Sequence, residues 1–397
     1  MIKILHLTTH NEHCGIAKYN EDFVKELDKL EIINHIFPTS PNILKKMRGK
    51  EFDDQLTLLI NMAKDHDILH MQHEFSFYDP SQFGKIIAAV KNNTKAKVIC
   101  TFHTAPLYHK DKPNNFVSLR GFLDYRDKLL ERRWYKKNLG GIEKLDEIII
   151  HNKFTKQAFI NNLNYPSEKI RSMVLPVYSY TSLETTEEDN KIINKTRTEL
   201  DLKEGDYLLG MVGFLNAVKG HQETVKSLRL LPNNFKLLII GGIHPGGEND
   251  SFLNKLIDIA YEIGVEKRVY VTGYVTDSSM QNLVEMCDSI LYPYDKEYFS
   301  SSAAINHPIG AGKPIIAYKV KGLTEINDTY EVVRFTQARS YYELAREIEV
   351  FAENPQLAAT YVVNGRKYYH DFSYTNQAKR LKDIYQELLG ITSTTAS

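Results

Sequence analysis

Short runs of Ile, Val, Leu and Tyr recur along the chain, each followed by a polar or glycine-containing turn and then by a longer stretch with apolar residues at helical spacing. The runs are IKILHL (2–7), ILHM (68–71), KVICTF (97–102), EIIIH (147–151), YLLGMVG (207–213), KLLIIGG (236–242), RVYVTG (268–273), SILYPY (289–294) and KPIIAY (313–318). They lack the apolar–polar alternation of a half-exposed strand. They therefore predict strands covered on both faces, in parallel sheets joined by helices. The fold class is α/β.

Between about residues 180 and 204 the chain turns polar and charged, with no buried-strand run, and reads as a partly helical connection. The strand series restarts at Tyr207, which predicts two doubly wound domains. The first covers 1–180, the connection 181–204 and the second 205–374. FSYTNQAKRLKDIYQELLG carries Leu, Ile and Tyr at helical spacing, so a helix over about 375–392 is expected to pack back on the first domain. The final ITSTTAS reads as a frayed tail.

Length supports this division, because 397 residues exceed what one core usually serves. Fifty basic residues cancel fifty acidic ones, so the whole-chain field attracts neither nucleic acid nor an anionic membrane, and such a partner needs a local patch. Cys14, Cys100 and Cys287 stand far apart with no CxxC spacing, which argues against a zinc site or a disulfide framework and for a reducing cytoplasm. The opening MIKILHL loses its apolar character within seven residues, and no run approaches a membrane span, so the chain is expected to be soluble or peripheral.

In open parallel sheets ligands bind beyond the carboxyl ends of the strands, where loops enter helices. Three loops there are suited to anions. Gly15 follows the first strand and opens a helix, where a glycine either admits a phosphate to the backbone amides or simply makes a tight turn. Lys219-Gly220 follows the restart strand and either neutralises a phosphate or stays solvated. Ser300, Ser301 and Ser302 precede a short helix, either as an ordinary cap or as donors to an anion. Together these loops predict one ligand in a cleft between the domains.

The order of HCGIAKYNEDFVKEL, TFHTAPL, VGFLNAVKG, VTGYVTDSSM and GAGKPIIAYKVKGLTEI resembles the retaining GT-B glycosyltransferases of family 4, which include phosphatidylinositol mannosyltransferases. The resemblance runs from Met1 to about Leu389. It implies two Rossmann-like domains, with a nucleotide sugar on the second and the acceptor entering from the first. Residue by residue, it implies that the Gly15 loop and Lys219 meet the donor diphosphate, and that Tyr274 and Val275 after Gly273 hold the nucleobase through the backbone. It places Ser300, Ser301, Ser302, Ala303 and His307 around donor sugar and phosphate, and His103 near the transferred sugar. Fixed donors at helix ends stabilise the departing diphosphate, so no metal or other cofactor is expected beyond the nucleotide-sugar donor, such as a UDP- or GDP-sugar. The leaving phosphate takes the acceptor proton, which leaves His103 to orient sugar or acceptor; its alternative is to close the end of a buried strand.

The sequence departs from the family at three positions. Phe214 follows Gly213 where the family has an arginine, and Phe299 and His307 occupy the positions of two glutamates; Glu297 lies two residues before the first. ILHMQHEFSFYDPS brings His70, His73 and Glu74 together. The spacing is not that of a HExxH metal helix, so the segment is expected to be a strand-end loop with Glu74 and His73 facing the acceptor. Residues 107–137 hold nine Lys or Arg against four Asp or Glu, interleaved with Phe116, Phe122, Tyr125, Trp134 and Tyr135. They read as a solvated helix with its aromatics on the core, a peripheral contact with anionic lipid, or a nucleic-acid contact, in that order.

The expected function is a retaining, metal-independent glycosyltransferase, with a hexose as the sugar transferred, acting on a hydroxyl of a glycan, lipid-linked or other acceptor. Its site residues are His103 and Glu74 on the catalytic side and Gly15, Lys219, Tyr274, Val275, Ser300, Ser301, Ser302, Ala303 and His307 on the donor side. The alternatives are a catalytically silent binding or scaffold protein of the same shape, and an enzyme acting on modified DNA bases.

Overall fold

Each of the nine expected runs is a strand in the computed structural model, which describes residues 1–12, 14–39, 44–106, 119–178, 185–243, 251–294, 301–337 and 339–391, with backbone alone at 119–125 and 128. Three further strands join them. The first sheet runs β2-β1-β3-β4-β5-β6, with β1 Lys3–Thr8, β2 Ile33–Pro38, β3 Ile68–His73, β4 Lys97–Phe102, β5 Glu147–Ile150 and β6 Ile170–Ser172. The second runs β12-β11-β10-β7-β8-β9, with β7 Tyr207–Val212, β8 Phe235–Ile240, β9 Val269–Val271, β10 Ser289–Tyr292, β11 Ile315–Tyr318 and β12 Val333–Thr336. Every pairing between these strands is parallel. The three strands the sequence pattern does not reveal, β2, β6 and β12, are all at sheet edges and only partly covered, so their apolar runs are broken by Asn34, His35, Arg171 and Arg334.

The chain forms two compact units. One holds Met1–Leu175 and the chain from Tyr374 on; the other holds Pro176–Ser373. The polar stretch read as a connection therefore contributes, from Thr185, to the second unit. There Thr186 and Asp189 form a capping box on the helix Glu187–Glu199. Asp189 also accepts hydrogen bonds from Ser278 and Ser279 of the helix Asp277–Met286, which ties the two helices together. The C-terminal helix Tyr374–Leu388 packs in the first unit, where Tyr374, Leu381, Ile384 and Tyr385 are buried.

In the first unit, alternation along each strand sends side chains to two different environments. Leu5, Leu7, Leu69, Met71, Val98 and Cys100 join an apolar core with Phe52 and Leu59 of the helix Gly49–Ala63 and Phe83, Ile86 and Val90 of the helix Gln82–Asn93. Between them on β1 and β3 stand His6 and His70, while Ile99 of β4 is apolar. His70 bonds the hydroxyl of Tyr385 at 2.6 Å and that of Thr101 at 2.7 Å. Burial pushes His6 down to about 4 and His70 well below its ordinary value, so both rings are neutral at pH 7.

This placement corrects the strand-end reading of His70 and His73. Both lie inside β3, and His73 is buried among Phe75, Tyr78, Phe83 and Phe102, with ring centroids 4.6–5.6 Å away. Only Glu74 stands beyond the strand. An aromatic cage of the protein's own side chains surrounds His73.

Candidate functional site

In the second unit the chain leaves β7 toward β8 and β9 on one side, then returns to β10, β11 and β12 on the other. The gap between neighbours β7 and β10 is thus a topological switch point, where the two loops diverge and leave a crevice. Lys219 follows β7, and Ser301 and Ser302 follow β10, so these residues come after the two strands that border it.

Lys219 ends a short 3-10 turn, Ala217–Lys219, whose first amides are organised by the Asn216 side chain accepting from Val218 N–H. Its ammonium lies against the backbone at the end of β7. A Cβ added to Gly213 would come within 2.4 Å of Nζ, so only a glycine lets the lysine occupy this place. The ammonium has no acidic partner among the described residues, and burial lowers its pKa from 10.5 to about 8. Gly220 next to it has φ +76, and its α-carbon faces Pro293 just beyond β10. That contact holds the lysine loop against the other wall of the crevice.

Glycines also line the neighbouring strand ends, a feature the sequence reading passed over. Gly241 closes on Gly213 O, and Gly242 on Gly273 and Tyr274 N. Thr272 Oγ1 accepts from Gly241 N–H at 3.0 Å and donates to Gly273 O at 2.7 Å, which fixes the backbone entering Tyr274 and Val275. Tyr274 itself is 55% exposed. With no Cβ atoms in the way, a ligand can approach the main chain of β7, β8 and β9 closely. The signal available in the sequence was the pair GG directly after an apolar run.

Ser301, Ser302 and Ala303 are half-buried, while Ser300, Phe299 and Glu297 lie outside the described residues. The capping expectation for Ser302 does not hold. It occupies the cap position of the turn Ala303–Ile305 but makes no side-chain cap bond; its hydroxyl instead shares a 2.9 Å hydrogen bond with Tyr294, whose phenol burial pushes up to about 12. His307 lies in the helix Asn306–Gly310 and stacks on Tyr178, with centroids 4.4 Å apart and planes 12° apart. Asn306 donates to Pro176 O at 2.9 Å, so the same helix anchors the segment that carries Tyr178.

The first unit has its own switch point between β1 and β3. Glu74, just past β3, accepts from Phe75 N–H and from the Thr104 hydroxyl, and burial raises its pKa. His103, just past β4, is half-buried and bonds Gln72 Oε1 through Nε2 at 2.8 Å, with Tyr19 edge-on at 5.0 Å. Burial, then the nearby histidines, hold its pKa well below the ordinary value. A neutral ring that donates from Nε2 leaves Nδ1 as an acceptor for a hydroxyl.

Gly15 opens the helix Gly15–Asp28 with no positive φ, and no described heavy atom lies within 4 Å of the position a Cβ would take. Neither backbone conformation nor packing therefore requires a glycine here. Gly15→Ala should preserve the melting temperature, because the backbone and the space both accept Ala. If donor phosphates reach this loop, the same change should weaken nucleotide-sugar binding roughly tenfold, about 1.4 kcal/mol. Unchanged affinity in a calorimetric titration removes Gly15 from the site.

Residues 192–368 match the family profile described as Glycosyl transferases group 1. An uncharacterized glycosyltransferase of Methanocaldococcus jannaschii is 24% identical over 264 residues, a match that spans 62% of this chain and 61% of that relative. The structure of Anabaena HepE in complex with UDP superposes at a TM-score of 0.72 and 16% identity, covering 97% of this chain and 100% of the other. A glycosyltransferase of Rickettsia africae gives a TM-score of 0.72 at 18% identity, covering 98% and 99%. With two six-stranded parallel sheets flanked by helices, the chain has the GT-B fold.

Proposed function

We propose that the protein is a retaining glycosyltransferase that binds a nucleotide sugar at the carboxyl ends of β7–β10 and transfers the sugar, a hexose, to an acceptor hydroxyl without a metal. The observation that carries this reading is the Lys219 ammonium, half-buried and without an acidic partner among the described residues, at the switch point of the unit that holds the whole family match. An unpaired cation in such a place is stabilised by an anion, and a diphosphate supplies one. HepE, with the same fold, is known in complex with UDP and with UDP-glucose, which supports the same donor class here.

In the proposed reaction the bond from the sugar anomeric carbon to the diphosphate oxygen breaks, and its electrons stay with the phosphate. Lys219 and backbone amides of the glycine-lined strand ends take up that charge. The acceptor oxygen bonds the anomeric carbon on the face the phosphate leaves, and its proton passes to the departing phosphate oxygen. His103 accepts a hydrogen bond from the acceptor or sugar. No side-chain carboxylate is required as base.

The silent-homologue reading rests on Phe214, Phe299 and His307, which stand where the resembling enzymes have an arginine and two glutamates; His307 stacks on Tyr178. A single panel separates the two. Calorimetry with UDP, GDP, ADP and dTDP should give saturable binding of one of them, and the matching nucleotide sugars should be turned over, at least by slow hydrolysis. No response to any of the four nucleotides rejects the donor site; binding with no turnover of any matching sugar favours the silent protein.

A further inference from the structure

The helix Leu119–Asn138 is the most solvent-facing of the first unit's described helices: Arg126, Asp127, Leu130, Glu131, Arg132, Arg133, Trp134, Lys136 and Lys137 are all exposed. Two of these are apolar. Leu130 is 54% and Trp134 45% exposed, one turn apart. At 3.6 residues per turn, Arg126, Arg133 and Lys137 lie on one flank of that pair, within roughly 100° of Trp134. Tyr135 lies on the other flank, its ring 5.0 Å from that of Trp134 and 5.2 Å from that of Phe75. Arg133 and Lys137 make no ion pair with any described residue, while Arg126 pairs with its neighbour Asp127 at 2.9 Å. Trp134 also touches the strand-end chemistry. Its ring lies 5.1 Å from that of Phe75, the residue whose N–H bonds Glu74.

We propose that Phe75, Leu130 and Trp134, flanked by Arg126, Arg133 and Lys137, form the docking shelf for an anionic oligosaccharide, the acceptor of the transferase. This identification of the acceptor class rests on the glycosyltransferase reading above. A pyranose presents a flat C–H face that packs on an indole, while its acidic substituents meet the guanidinium and ammonium groups beside it. The face does not suit a bilayer. Among its described side chains the exposed apolar part is only Leu130 and Trp134, less than the continuous apolar face an interfacial helix buries.

Trp134 is the only tryptophan in the chain, so selectively excited tryptophan emission reports on the shelf alone. Titration of the full-length protein with an oligogalacturonate or a sulfated oligosaccharide should change that emission saturably, and added salt should weaken the effect. A neutral maltooligosaccharide of equal length should bind at least about tenfold more weakly, and Arg133→Gln with Lys137→Gln should remove most of the difference. By calorimetry Trp134→Ala should lose the oligosaccharide while keeping the nucleoside diphosphate, and Trp134→Phe should restore part of the loss. The proposal is overturned if neither anionic oligosaccharide binds, if the neutral one binds equally well, or if vesicles with anionic lipid or an oligo-dT strand bind through Trp134 instead. Failure of the nucleotide titration with an intact oligosaccharide response would reject the transferase reading and leave the shelf as a glycan-binding site.

Discussion

Lys219→Ala is expected to weaken nucleoside-diphosphate binding by about 1.5–3 kcal/mol, the worth of a charge-assisted hydrogen bond, with the fold unchanged. The residue follows β7 at the switch point, and Phe214 stands where the resembling enzymes have an arginine. Its pKa supplies a second signature. In the free protein burial lowers it to about 8, and a bound diphosphate favours the charged form, so the bound pKa lies higher. Below about pH 8 the ammonium is already formed and affinity should be flat. Above it, binding must take up a proton, and affinity should fall by about tenfold per pH unit until the bound pKa is reached. Lys219→Met should lower affinity and abolish this slope together. A slope that survives the substitution assigns the titration to another group, and an affinity equal to wild type removes Lys219 from the site.

Gly220→Ala should be far more damaging than its size suggests. The backbone there has φ +76, which Ala adopts at a cost, and a Cβ would lie 1.8 Å from Pro293 O and 2.8 Å from its carbonyl carbon. Neither neighbour is a flexible side chain, so the loop from Gly213 to Gly220 must lift off the wall formed by Pro293. The expected cost is on the order of 3 kcal/mol or more, and it carries the Lys219 ammonium away from its place with it. Urea unfolding should show the loss of stability, and hydrogen exchange should show it concentrated around 213–220 and 289–294. A protein with wild-type stability would mean that Gly220 does not press on Pro293. The contrast with Gly15→Ala, where no described atom is in reach, separates a glycine required by packing from one required by a ligand.

Much of the candidate site could be named from sequence because its signals are local. A cation and a serine row directly after buried runs are visible in a window of twenty residues. The GG pair after β8 was equally visible and went unread. What stayed hidden depends on distant partners. Ser302 is aimed at Tyr294 and not at its own helix turn, and His73 belongs to an aromatic core built from three other segments. The edge strands β2, β6 and β12 escaped because half-covered strands tolerate polar residues, which erases the apolar run.

By itself the sequence determined that this is an α/β protein of two doubly wound halves, where nine of its strands lie, eight of them covered on both faces and β9 a half-covered edge, and which loops follow them. These properties follow from hydrophobic spacing along one stretch of backbone, so they survive without knowledge of neighbours. Only the tertiary structure decided the strand order, and with it the fact that the loops after β7 and β10 flank one crevice. It also decided that Lys219 lies against Gly213 with no acidic partner among the described residues, that His70 and His73 are interior, and that Trp134 faces solvent. Burial, pairing and pKa are set by groups that the fold brings together from far along the chain, and that is why no window of sequence contains them.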